Sequence, residues 1–286
     1  MPFEWSLNPY MGCAHRCTFC YVRAFERRAD RAWDGRYGTS VRVKTNVADV
    51  LRRELARPAW TRPEVVIGAA TDPYQPAEGR YRLTRACIEA LAERANPFGI
   101  ITRGPLIVRD RDLLRTAAGR AKVSVHVSVP TLDEAIWQAT EPGTAPPRQR
   151  LRAARMLADA GVRVCIALAP LLPGLTDGER GMSEVVRAAR DAGAAGIWAG
   201  LLYLKSGTRE HFLDELERVW PAERRRLEKL YGERAYLERA RKDALGARLK
   251  LLRERFPLRT GAPPLVEPRA ESEPPAFARQ LALALQ

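Results

Sequence analysis

Cys13-Ala14-His15-Arg16-Cys17-Thr18-Phe19-Cys20 places three thiols in one short stretch, spaced C-x3-C-x2-C. Thiolates this close can grip one metal centre and leave it a ligand short. Iron–sulfur cubanes are normally held by four cysteine thiolates. With three, one iron keeps an open position, much as a catalytic zinc does. The remaining cysteines, Cys87 and Cys165, are far off in sequence. A structural zinc site is the rival, but it wants a second Cys or His pair downstream. The only histidines outside the motif are His126 and His211, and His15, inside it, is expected to be exposed or supporting. A disulfide framework does not suit a long, Cys-poor chain without a secretory signal. Chance burial of thiols fits Cys87 and Cys165 better than the triplet.

Around this stretch, short apolar runs alternate with amphipathic segments. Val65–Gly68, Gly99–Thr102, Val123–Val129, Val162–Ala169 and Gly196–Leu204 read as buried strands, with a first strand at roughly Trp5–Tyr10. Val47, Val50, Leu51 and Leu55 share one helical face, with Asn46 as the expected cap. Leu151, Ala154 and Ala158 line another, which starts after Pro146-Pro147 and stops at Gly161. Strand–helix repetition predicts parallel strands with right-handed crossovers, hence a barrel or partial barrel, with a doubly wound open sheet as the alternative. In Val123–Val129 the valines point one way and Ser124, His126 and Ser128 the other. A filled barrel would be apolar on both faces, so a polar inner face predicts a hollow holding a polar ligand.

The chain has 286 residues, enough for one large α/β domain with an appendage, and 46% hydrophobic residues, enough for a real core. No apolar run approaches membrane-spanning length and no signal peptide is legible, so a cytoplasmic protein without a membrane partner is expected. The start lies so close to the first motif that no amino-terminal module is expected. Net charge is +14, which implies a polyanionic partner such as nucleic acid, or else an arginine-rich compositional bias.

Further words narrow the reading. Asn8-Pro9-Tyr10-Met11-Gly12-Cys13, Cys20-Tyr21, Thr71-Asp72-Pro73-Tyr74-Gln75-Pro76, Glu141-Pro142-Gly143-Thr144 and Ala169-Pro170-Leu171-Leu172-Pro173-Gly174 occur in that order. Together with C-x3-C-x-aromatic-C, in which Phe19 is the aromatic, they resemble the radical S-adenosylmethionine (SAM) superfamily. Within it they resemble the spore-photoproduct-lyase-like branch and its mycobacterial-type members. The resemblance implies an α/β partial (β/α)6 TIM-like barrel at 1–208 with a C-terminal helical extension at 209–256. A Pro-rich linker and short tail at 257–286 would follow, with a docking helix at Phe277–Leu285. In the helical extension, Phe212, Leu216, Val219, Trp220, Leu227, Leu230, Tyr231 and Leu237 form the expected apolar side.

The resemblance implies that Cys13, Cys17 and Cys20 hold a 4Fe–4S cluster and that S-adenosyl-L-methionine chelates its fourth iron. One electron, from a ferredoxin or flavodoxin-type donor, would then release a 5′-deoxyadenosyl radical that takes hydrogen from a substrate. Phe19 is expected at the adenine, and Thr71 and Asp72 at the amino group. Thr102 and Arg103 lie on the same rim, with Arg103 facing the carboxylate. His126 and Ser128 are expected at the carboxylate or ribose, and Ala169 and Pro170 in the adenine pocket. Tyr21 stands where the lyases place a tyrosine that takes part in hydrogen return. Glu141 is expected either at the site or on the surface. Two departures matter: Gly68-Ala69-Ala70-Thr71 lacks the thiol the lyases carry at the end of the second strand, and Phe19 replaces a tyrosine. The expected function is therefore a lyase-like or modifying radical enzyme, with nucleic acid as candidate substrate. A radical modifier of RNA, a peptide or a small metabolite is the alternative, and a metal-bearing nucleic-acid-binding module is the non-enzyme alternative.

Overall fold

The computed structural model describes residues 3–258 and 279–280. Each apolar run picked out above is a strand: Val65–Ile67, Phe98–Thr102, Val123–Ser128, Val164–Leu171 and Gly196–Leu201. With Trp5–Leu7 before them they make six parallel strands, hydrogen-bonded in chain order from first to sixth. A doubly wound sheet reverses its strand order part-way. This one never does, so that alternative falls and the partial TIM-like barrel stands. Arg279–Gln280 pairs parallel with Trp5–Ser6 on the free edge of the first strand. At these two residues the expected tail helix is therefore corrected to a strand. The rest of Phe277–Leu285, and the linker beyond Leu258, lie outside the described residues.

The first strand is shorter than Trp5–Tyr10. After Leu7 the chain turns aside, and Tyr10–Met11 pairs antiparallel with Arg42–Val43. The Asn8 side chain accepts the backbone N–H groups of Ala70 and Thr71 at 2.8 and 3.2 Å. This ties the end of the first strand to the end of the second.

The crossovers carry helices α1 (Arg23–Arg28), α2 (Val47–Leu55), α3 (Pro76–Tyr81), α4 (Leu83–Glu93), α5 (Arg111–Ala118), α6 (Glu134–Thr140), α7 (Pro147–Asp159) and α8 (Glu179–Asp191). Leu51 of α2, Ile88 and Leu91 of α4, Leu157 of α7 and Val185 of α8 pack in one core with Leu7, Ile67, Ile100, Val125, Ile166 and Leu168 from one sheet face. Alternation puts Ser6, Gly99, Ser124, His126, Ser128, Ala167 and Trp198 on the other face. The predicted small and polar lining is thus present. Asn46 does occupy the N-cap of α2, but its side chain makes no capping hydrogen bond.

Three helices follow the sheet: α9 (Arg209–Val219), α10 (Pro221–Tyr231) and α11 (Arg239–Arg255). Phe212, Leu216, Leu227, Tyr231 and Leu237 form a second core with Cys17, Phe19, Leu172, Leu202 and Leu204. Full burial of each large apolar side chain is worth roughly 1.5–3 kcal/mol, so α9 and α10 fasten over the cysteine loop. Val219, expected on this apolar side, is 46% exposed, because it lies in the last turn before Trp220 and Pro221 redirect the chain. α11 instead sends Leu249 and Leu252 into the main core.

Candidate active site

Backbone and side-chain contacts on several sides fix the cysteine loop. The Gln75 amide, fully buried, accepts from the Ala14 N–H at 2.9 Å and donates to the Gly12 carbonyl at 3.1 Å, clamping both flanks of Cys13. Thr18 N–H bonds to the Thr140 carbonyl and Gly143 N–H to the His15 carbonyl. A Cβ on Gly143 would lie 2.4 Å from the Ala14 carbonyl oxygen, so only glycine permits that approach. The words Thr71–Pro76 and Glu141–Thr144 therefore act as fasteners of this loop. Cys13, Cys17, Cys20, Tyr21, Tyr37, Thr71, Asp72, Thr102 and Arg103 line one cavity at the C-terminal ends of the strands, where barrel active sites lie.

Asp72 organises the rim. One carboxylate oxygen accepts from Tyr74 N–H at 2.9 Å and Thr102 O–H at 2.6 Å. The other accepts from Arg103 N–H at 2.6 Å and lies 3.2 Å from His15 Nδ1. Burial pushes its pKa up, but His15, Thr102 and the Arg103 N–H outweigh this and hold it at about 2. Three hydrogen-bond donors and the neighbouring His15 ring make Asp72 a keystone whose oxygens are already engaged. The Thr71 hydroxyl donates to the Tyr10 carbonyl at 3.3 Å and Thr102 also accepts from Gly104 N–H.

Glu141 is not on the surface. It is fully buried, 2.5 Å from Arg103 Nε and 2.9 Å from Arg150 Nη1. Burial opposes its charge, yet Arg150 and Arg103 prevail and its pKa is lowered. Arg150, also fully buried, donates to the Ser128 carbonyl and to Thr144 Oγ1. Arg103 Nη2 donates to the Ala169 carbonyl at 3.0 Å. Arg103, a lining residue of the cavity, is thus held by Nε and Nη2.

The structure gathers some of the other expected residues here and sets others apart. The Tyr21 hydroxyl donates to the Ala69 carbonyl; burial chiefly, and then the charge of Cys20, raise its pKa. Phe19 packs edge-on against Phe212, centroids 6.4 Å apart, beneath the Arg103 guanidinium. Ala169 and Pro170 end the fifth strand next to Arg103. His126 is held away from the cysteines. Trp198 Nε1–H, which can only donate, bonds to His126 Nδ1 at 3.1 Å, so the neutral ring carries its proton on Nε2, 3.2 Å from Ser124 Oγ. Burial lowers its pKa to about 4. Ser128 lies on the same face, nearer the rim. His15 takes the supporting of its two expected roles, buried beside Asp72, whereas Gln75, Tyr37 and the support given by Gly143 escaped sequence reasoning. Only the position of Gln75 and Gly143 inside quoted words could have flagged them, and nothing flagged Tyr37.

Burial pushes the Cys13 thiol up to about 12, with Asp72 adding to it, and pushes Cys17 well up too. Burial pushes up Cys87 and Cys165 as well, so what sets the triplet apart is that its three thiols line one cavity. A cubane, which offers each thiolate its own iron, fits a set of three cysteines on one cavity wall.

A family model described as the Radical SAM superfamily matches residues 7–185. The chain belongs to that superfamily. It is a radical SAM enzyme, and the superfamily implies S-adenosylmethionine and an iron–sulfur cluster. Uncharacterised proteins of Mycobacterium tuberculosis and Mycobacterium bovis are 38% identical to this radical SAM chain over 258 residues, covering 90% of it and 76% of theirs. A solved spore photoproduct lyase mutant with bound AdoMet and dinucleoside spore photoproduct has a TM-score of 0.65 at 19% identity, over 89% of this chain and 74% of that one. Streptococcus suis SuiB bound to a precursor peptide has a TM-score of 0.56 at 15% identity, over 89% and 47%. At these identities the likeness to solved structures is one of fold.

Proposed function

We propose that this enzyme holds a 4Fe–4S cluster on Cys13, Cys17 and Cys20, binds S-adenosyl-L-methionine at its fourth iron, and abstracts a hydrogen atom from a nucleic-acid substrate. The observation that carries the chemistry is the convergence of Cys13, Cys17 and the half-buried Cys20 with Tyr21 and Arg103 on one cavity at the strand ends. When bound, the cluster and cofactor supply a carbon-centred radical by one-electron cleavage of the sulfonium.

The chain's own residues bind, orient and enclose. Arg103, pinned by Glu141 and Ala169, offers its guanidinium to a carboxylate, the charge-assisted pairing that Arg favours. Phe19, Phe212 and the helices above them exclude water, which a reactive intermediate requires. The Tyr21 O–H, on the same cavity wall, is the candidate hydrogen donor to a substrate radical. Segment 68–71 offers no thiol, so the lyase relay would not operate unchanged.

Two features favour nucleic acid. The chain carries +14 net charge. A cleft of about 360 Å³ between the loop after the fifth strand and helix α10 is lined by Arg226, Lys229, Arg234 and Arg241, against Asp177 and Glu238. Next to it the Tyr203 and Tyr236 rings meet at a 40° tilt with centroids 4.5 Å apart. Basic tracks with aromatic platforms suit single-stranded nucleic acid. A ferredoxin or flavodoxin-type protein is the proposed electron donor and the cytoplasm the proposed compartment, where thiols stay reduced.

Anaerobic reconstitution tests the chemistry. The brown protein with dithionite and S-adenosylmethionine should release 5′-deoxyadenosine, and a colourless zinc protein that releases none would end the reading. For the substrate, affinity for oligonucleotides should weaken steeply with salt; a flat response, or preference for a peptide, removes nucleic acid.

A further inference from the structure

Behind Cys20, on the side away from Arg103, lies a buried pair that none of the roles above uses. Tyr37 is 1% exposed and its hydroxyl lies 3.4 Å from Cys20 Sγ, within hydrogen-bond range for sulfur. No other hydrogen bond satisfies that hydroxyl among the described residues, and a buried hydroxyl without a partner is costly. A metal-bound thiolate carries no proton, so in the loaded protein the tyrosine must be the donor. The Arg23 guanidinium stands 4.5 Å over the Tyr37 ring, itself 2% exposed. It is tethered by Nη1 to the Trp33 and Asp34 carbonyls at 2.8 and 2.7 Å. Among the described residues no carboxylate comes within ion-pair distance of it, Glu215 acting only from farther off, and its Nε has no hydrogen-bond partner.

A buried guanidinium without a counter-charge is strongly unfavourable. Here the negative charge that would balance it is the thiolate-ligated cluster next door. We propose that Tyr37 and Arg23 raise the reduction potential of the metal centre held by Cys13, Cys17 and Cys20, making it reducible by a weak one-electron donor. The inference rests on the cluster proposed above. The sign follows from charge. A cubane with three thiolates is already net negative and gains one more negative charge on reduction. A hydrogen bond to a ligating sulfur, and an uncompensated positive charge beside it, both stabilise the reduced form more than the oxidised form. Hydrogen bonds to the sulfurs are among the known determinants of cluster potential.

The test is a potentiometric titration of the reconstituted full chain, followed by the EPR signal of the reduced cluster, on wild type, Tyr37→Phe and Arg23→Gln. Tyr37→Phe keeps the ring and its stack and removes only the O–H. The expected result is the wild-type iron content and a potential shifted downward. At fixed ambient potential the reduced-to-oxidised ratio should fall by up to about tenfold, equivalent to about 59 mV for one electron. Arg23→Gln should shift the same way. A Tyr37→Phe potential equal to or above the wild-type value overturns the proposal. If Tyr37→Phe fails to load iron, the wild-type protein decides. In D2O its reduced cluster must show an exchangeable deuteron coupled to it in pulsed EPR, and absence of that coupling overturns the proposal. A wild type that takes up no cluster instead defeats the cluster reading itself.

Discussion

Asp72 shows how one side chain can hold a rim together. Its carboxylate joins the second-strand end (Tyr74 N–H), the third-strand end (Thr102 and Arg103) and the cysteine loop (His15). The pKa held at about 2 lies below the usual aspartate value of about 3.9. A depressed carboxylate contributes stability that is complete above the unfolded pKa and lost as pH falls through the folded one. Asp72→Asn should therefore be less stable than wild type at neutral pH, by roughly 2 kcal/mol. The gap should close between about pH 4 and pH 2, as read from urea midpoints along a pH series. A gap unchanged across that window would show that the charge of Asp72 is not what fastens the rim. At this scale the sequence was only partly legible. Thr71, Asp72, Thr102 and Arg103 do line the cavity, but most partners that fix Asp72 and Arg103, among them His15, Glu141 and Ala169, come from segments dozens of residues away. Glu141 could be read either way because no local pattern distinguishes a surface glutamate from one clamped between two arginines.

At the scale of elements, the loop fasteners carry the argument. Gln75 and Gly143 touch the cysteine loop without being near its sulfurs in sequence. Gly143→Ala places a Cβ against two backbone carbonyls, Ala14 and His15. Gln75→Leu deletes one acceptor and one donor and leaves the Ala14 N–H and Gly12 carbonyl without partners. Each variant should fold, because the main core lies on the other face of the sheet, yet retain less than half the wild-type iron after anaerobic reconstitution and gel filtration. Wild-type retention in both would mean that the loop holds its shape unaided. The strands were the most readable elements, since their β-branched runs and the Ser124-His126-Ser128 alternation follow a period that burial enforces. The first strand was overestimated because Tyr10–Met11 keeps strand geometry but serves a different pairing, which periodicity cannot reveal.

For the whole molecule, strand order fixed the architecture. The succession of β/α units implied it, and only the pairing excluded a doubly wound sheet. The charge surplus is less evenly available than composition suggests. Arg224 and Arg234 are paired with glutamates, whereas Lys229 and Arg241 line the cleft without a carboxylate at ion-pair distance among the described residues, Glu238 feeling Arg241 only from farther off. Lys229→Glu with Arg241→Glu should weaken oligonucleotide binding at least tenfold. It should also lower the slope of log affinity against log salt by about one to two units, since each phosphate contact contributes about 0.7 on single strands. An unaltered slope would place the nucleic acid elsewhere on the surface.

The tight fastening of the cysteine loop bears on how the protein matures. Cys13 and Cys17 are each only 7% exposed, and the loop is tied at Gln75, Thr140 and Gly143 beneath a roof of α9 and α10. A cluster entering the finished chain would reach Cys13 and Cys17 more readily once that roof lifts. Dilute urea, too weak to unfold the sheet, should therefore speed iron uptake by the apoprotein, and uptake no faster than in buffer would mean that the entrance stands open.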